Sequence, residues 1–136
     1  MRHKATTLLL VVALSAPIAT WSQALREPEI AAITIRLSSF AFSPEQVRLR
    51  AGVPTRLHLV NDSDGNHNFS APELFAASSV TTGSVPPGGA VEVPGGRSVD
   101  ITLVPRTPGI YKVRCTHFLH SLFGMTGRIV VERPPP

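Results

Sequence analysis

A chain of 136 residues is one domain's worth of polypeptide, and its formal charge of +4, from thirteen Lys and Arg against nine Asp and Glu, is too small to imply an anionic partner. The basic residues Arg36, Arg48, Arg50, Arg56, Arg97 and Arg114 fall mostly at alternate positions, with no stripe or cluster, which reads as a solvated strand face and argues against a nucleic-acid surface. A single cysteine excludes an internal disulfide.

In chain order, Arg2 and Lys4 precede "TTLLLVVALSAPIA", an apolar run too short to cross a bilayer, and Ser22-Gln23-Ala24 follows with small residues at cleavage-site spacing. Residues 1–24 are therefore expected to be a secretory signal peptide, cut after Ala24, and 25–136 a single exported, periplasmic domain. With Arg2 and Lys4 removed, eleven basic residues face nine acidic ones. No later apolar run is long enough for a membrane helix, so no membrane anchor is expected.

Thirteen prolines and ten glycines then divide the chain into short pieces. "ITIRL", "QVRLR", "RLHLV", "AVEV", "SVDITL", "IYKVRC" and "GRIVVE" alternate apolar and polar residues, the period of half-buried strands. Gly52-Val53-Pro54, Asn61 to Gly65, Pro86 to Gly89, Gly95-Gly96 and Pro108-Gly109 supply turns. This pattern predicts an all-β, antiparallel Greek-key β-sandwich. One short helix is predicted over about residues 71–79, where Ser70 and Glu73 have capping-box spacing and Pro72 suits a first turn.

The lone Cys115 has three readings in an exported protein: a buried inert thiol, an intermolecular bridge, or a metal-bound or redox thiolate. Its surroundings favour the last. "RCTHFLHSLFGM" joins two predicted strands and holds Cys115, His117, His120 and Met125, and "NHNF" brings His67 after an earlier strand and turn. A copper ion that cycles between Cu(I) and Cu(II) is served by a thiolate and two imidazoles, with a thioether at longer range. Taken singly, Cys115 would be a core thiol, His67 a surface histidine and Met125 a core side chain. Those separate explanations leave the shared spacing and the strand–loop–strand context unaccounted for.

These residues resemble the cupredoxins, small blue-copper proteins of the plastocyanin and azurin type. "FSPEQVRLRAGVPTRLHLVNDSDGNHNF" is similar to the strands leading to that family's first histidine ligand, and "PGIYKVRCTHFLHSLFGMTGRIVV" to its metal loop and closing strand. Cys115 to His120 has the C-x4-H spacing of azurins. The further step to Met125 is one residue longer, as in the mononuclear copper domain of multicopper oxidases. The resemblance implies one copper ion, with His67 and His120 as imidazole ligands, Cys115 as the thiolate and Met125 as the weak axial group. Asn68 would fix the ligand loop and tune the thiolate through hydrogen bonds. His117 competes with His120, but its offset of two from Cys115 would strain the loop, so His120 is favoured. His58 is out of phase with Leu57 and Leu59 and should face away from the core.

The ligand set implies a single-electron carrier working with a redox protein such as a cytochrome or oxidase, as a monomer. Leu119, Leu122 and Phe123 would either pack inward or form an apolar docking patch around the His120 edge. Buffering or delivery of copper to a cuproenzyme is the alternative, suggested by Arg114 and the spare His117. An enzyme is not expected. Four donors leave no open position, and the Arg114 and Thr116 neighbours of Cys115 replace the histidines that serve a trinuclear cluster in the oxidases.

Overall fold

The computed structural model describes residues 30–118, 120 and 122–134; the expected signal peptide, residues 1–24, lies outside them. Ten strands and one helix follow in order: β1 (Ala31–Ser38), β2 (Ala41–Ser43), β3 (Gln46–Arg50), β4 (Thr55–Asn61), β5 (His67–Ser70), α1 (Pro72–Ala76), β6 (Ser78–Thr82), β7 (Ala90–Val93), β8 (Ser98–Pro105), β9 (Gly109–Arg114) and β10 (Thr126–Glu132). They form two five-stranded sheets, β2-β1-β4-β8-β6 and β3-β10-β9-β5-β7.

Alternation explains the layer between the sheets. Ile35 and Leu37 of β1, Leu57 and Leu59 of β4, and Ile101 and Leu103 of β8 are buried from one sheet. Val47 and Leu49 of β3, Tyr111 and Val113 of β9, and Ile129 and Val131 of β10 close on them from the other. Each such side chain contributes about 1.5–3 kcal/mol on burial. Phe42, Phe69 and Phe75 form an edge-to-face run through this core, with centroids 6.0 and 6.1 Å apart, and it underlies β5.

The sheets are mixed, which corrects the wholly antiparallel arrangement expected. β1 runs parallel to β4, with Ile35 opposite Leu59, and β3 runs parallel to β10, with Val47 opposite Ile129. The reason is connectivity. After the β1–β2 hairpin the chain crosses to the other sheet as β3 and returns as β4, so β4 reaches β1 by a crossover. Apolar alternation specifies which face is buried, not the direction of the neighbouring strand.

The helix is shorter than predicted: residues 78 and 79 belong to β6. The capping box does not form, because Ala71 occupies the cap position with no side-chain bond, while Ser70 continues β5. Pro72 does start the helix. Arg48, Arg50 and Arg114 stand exposed on the outer face of the second sheet, where Lys112 and Arg128 join them; Arg48 is tied to Glu132 at 2.6 Å. His58 lies off the core side of β4 and meets Asp100, its cross-strand partner, at 2.8 Å. Among the described residues no helix is long and apolar enough to cross a membrane.

Candidate metal centre

The site forms where the β4–β5 connection meets the loop between β9 and β10. The first of these is tightly fixed. Asn61, at the end of β4, is buried; its amide donates to the carbonyls of Gly65 and Val93, both at 2.8 Å, and its oxygen accepts from the Ser63 backbone and hydroxyl. Gly95 packs so closely under this turn that a Cβ there would sit 2.3 Å from the Asp64 carbonyl oxygen. The turn thus delivers His67 as the first residue of β5, 2% exposed.

The second segment closes on itself. Cys115, buried one residue beyond β9, donates its backbone N–H to Met125 at 3.1 Å, and the Met125 N–H donates to the His120 carbonyl at 3.0 Å. A turn in which the His120 N–H donates to the His117 carbonyl, at 3.1 Å, lifts His120 back over the cysteine. Gly124 takes a left-handed φ of 95° immediately before Met125, a position that suits glycine. Met125 is fully buried beside Cys115 at the root of β10.

The donor atoms of His67, Cys115 and His120 converge within 4.8 Å of one another. His67 Nδ1 and His120 Nδ1 are 3.0 Å apart, Cys115 Sγ is 3.4 Å from His120 Nδ1, and 3.9 Å from His67 Nδ1. A point equidistant from all three lies roughly 2 Å from each, close to the bond lengths of about 2.0–2.3 Å that a first-row metal ion makes to imidazole and thiolate. The His67 ring turns all of its polar contacts to this point, since its Nε2 is buried with no hydrogen-bond partner among the described residues. Burial lowers its pKa below the usual 6.5, and the neighbouring His120 and His117 push it further down, so the ring is neutral and its Nδ1 can donate to a metal. The residues therefore fit a metal ion of the softness that thiolate and imidazole select.

Asn68 ties the two segments together. Its backbone N–H points at Cys115 Sγ from 3.5 Å, its side-chain oxygen accepts from the Thr116 N–H at 2.8 Å, and its amide donates to Thr116 Oγ1 and Glu92 Oε1 at 2.8 and 2.9 Å. Glu92 stands directly opposite Asn68 across the β5–β7 ladder and also holds His117 Nε2 at 2.8 Å. Burial pushes the Glu92 carboxyl up, but the hydrogen bonds from Asn68 and His117 and the His117 charge outweigh it, leaving it below its usual 4.5. His117 is thus engaged away from the three converging donors.

Glu92, Thr116 and Phe40 escaped the sequence reading. The Phe40 ring meets His120 edge-to-face with centroids 5.3 Å apart and Phe123 at 5.2 Å. Phe118, Leu122 and Phe123 of the same loop are 87%, 80% and 62% exposed, so Leu122 and Phe123 do not pack inward; Leu119 lies outside the described residues.

The protein is thus a two-sheet sandwich with a Cys–His–His cluster at one end, and the comparisons agree on the fold. The cupredoxin-like domain family matches residues 6–131, and the chain belongs to that family. Among solved structures it is similar to auracyanin B, at 24% identity and TM-score 0.55 over 75% of this chain and 88% of that one. The Na-dithionite reduced auracyanin of the photosynthetic bacterium Roseiflexus castenholzii aligns at 20% identity and TM-score 0.58, over 75% and 97%. The McoA multicopper oxidase of the hyperthermophile Aquifex aeolicus aligns at 15% identity and TM-score 0.60, over 77% of this chain but 30% of that one. No curated protein matches the chain in sequence.

Proposed function

We propose that the protein is a type 1 copper protein that transfers single electrons between redox partners in the periplasm. The observation that carries this reading is the triangle of His67 Nδ1, Cys115 Sγ and His120 Nδ1, whose edges of 3.0, 3.4 and 3.9 Å suit one small ion. His67, Cys115 and His120 would hold the copper, with the Met125 thioether as a weak fourth donor. Bound copper would supply a one-electron Cu(I)/Cu(II) couple.

The chain's own residues account for the rest. Loop and strand bonds through Asn61 and Asn68 hold two donors in place, which keeps reorganisation small when the charge changes. The Asn68 N–H donates toward the thiolate and tunes the potential. The half-buried His120 ring is the outlet for the electron, and the apolar surface of Phe118, Leu122 and Phe123 is the docking patch for a cytochrome or oxidase partner. We take the protein to act as a monomer and as a carrier, not an enzyme. Copper delivery, the alternative that Arg114 and a spare loop histidine suggest, has less support because His117 is held by Glu92.

The test is a titration of the metal-free protein with Cu(II), followed in the visible spectrum and then reduced with dithionite. One equivalent should raise an intense thiolate-to-copper band that bleaches on reduction and returns on oxidation. Colourless binding, or a band that survives in Cys115→Ser, would overturn the proposal.

A further inference from the structure

The turn between β1 and β2 consists of Ser39 and Phe40, because Ser38 pairs with Ala41. Its second residue has φ 68°, and Phe40 is the one non-glycine among the described residues with positive φ. That conformation drives Cβ toward the following carbonyl, so such a turn position ordinarily falls to glycine or asparagine. A bulky aromatic there is strained, and strain of this kind persists only where the surroundings fix it, most often at functional sites. Core packing does not explain the residue, which is 42% exposed.

What the ring meets is the candidate metal loop. Among the described residues the His120 imidazole has three aromatic neighbours: His67 at 4.8 Å, His117 stacked at 5.7 Å, and Phe40 edge-to-face at 5.3 Å with an interplanar angle of 87°. His67 belongs to the triangle itself and His117 to the same loop. Phe40 alone of the three arrives from the opposite sheet. It bears on a half-buried ring carried by a loop, whose Nδ1 has to stay 3.4 Å from Cys115 Sγ and 3.0 Å from His67 Nδ1 for the three donors to share an ion.

We infer that Phe40 is a positioning residue for His120: the β1–β2 turn holds a strained backbone so that the phenyl ring braces the imidazole toward His67 and Cys115. The consequence for copper rests on the function proposed above. The brace itself belongs to the metal-free protein and can be read there.

Phe40→Asn and Phe40→Leu separate the strain from the contact. Asn accepts the left-handed turn and removes the ring; Leu keeps the strain and apolar bulk and removes the aromatic edge. Three measurements are made on each full-length variant and on the wild type: the thermal midpoint of the metal-free protein, its His120 ring NMR signals, and the rate at which EDTA strips Cu(II). In both variants the His120 signals should shift and broaden, and copper loss should quicken about 3- to 10-fold, the size of a lost aromatic contact. The midpoint of Phe40→Asn should nevertheless be no lower than that of the wild type, with strain relief worth on the order of 4 °C upward. A clear fall in that midpoint would mean the ring packs the fold, and wild-type His120 signals and stripping rates would remove the brace; either result overturns the inference. Should the wild type take up no Cu(II), the copper reading fails by itself, and the His120 signals of the metal-free variants decide for or against Phe40.

Discussion

The two histidines reach one point from opposite kinds of structure. His67 begins a strand, lies 2% exposed above the Phe42–Phe69–Phe75 run, and follows a turn nailed down by Asn61. His120 rides on a loop, half-buried, fixed by two backbone hydrogen bonds and by its ring neighbours. One half of the site is therefore built into the sandwich, and the other is laid over it. The proposed redox role would use both: the rigid half would resist rearrangement when charge changes, and the half-buried one would let an electron in or out.

Substitution of the two histidines should separate these halves most strongly. His67→Ala leaves a cavity in a packed wall and should cost about 2 kcal/mol or more of stability in urea unfolding of the metal-free protein. His120→Ala, which removes a half-buried ring from a loop, should cost less, about 1 kcal/mol, while added imidazole restores copper binding through the opened edge. Equal losses for the two variants would erase the distinction. On the rigid side, Asn61→Ala strands the Gly65 and Val93 carbonyls and should cost about 1–3 kcal/mol and weaken copper binding with it.

Acid should probe the same contrast. The folded-state pKa of His67 lies below its usual 6.5, so the unfolded chain takes up the proton first. The stability that depends on the neutral ring is present above pH 6.5 and is lost as pH falls from there through the lowered folded-state value. Glu92 acts in the same direction at lower pH: its contribution is present above 4.5 and is lost as pH falls through its own lowered value. Urea unfolding of the metal-free protein from about pH 8 down to about pH 2 should show stability declining in these two windows, and His67→Leu should remove the upper one. The smallest effect belongs to Glu92→Gln. Its exposed pair with His117 is worth a few tenths of a kcal/mol, so the fold should hold while the loop NMR signals of Thr116 and His117 broaden.

The same contrast governs what could be read in the sequence. Strands with one wet face, such as "QVRLR" at Gln46–Arg50, announce themselves by alternation, and soft donors gathered in "CTHFLHSLFGM" stand out by composition. β5 does not alternate, because all four of its residues are buried, with the outward-turned Asn68 hydrogen-bonded to Thr116 and Glu92. Glu92 becomes visible only once the ladder sets it opposite Asn68, and Phe40 only once a turn conformation is known. Pairing direction was hidden for a related reason. A crossover between sheets leaves no mark on the apolar period of either strand it joins.

The central claim is that one thiolate and two imidazoles share a copper ion, and X-ray absorption at the copper edge of the loaded protein tests it most directly. The account predicts one short copper–sulfur bond and two copper–nitrogen bonds, with the sulfur lost in Cys115→Ser and one nitrogen lost in His120→Ala but retained in His117→Ala. A copper environment of nitrogen and oxygen alone, or one that depends on His117 and not on His120, would contradict it.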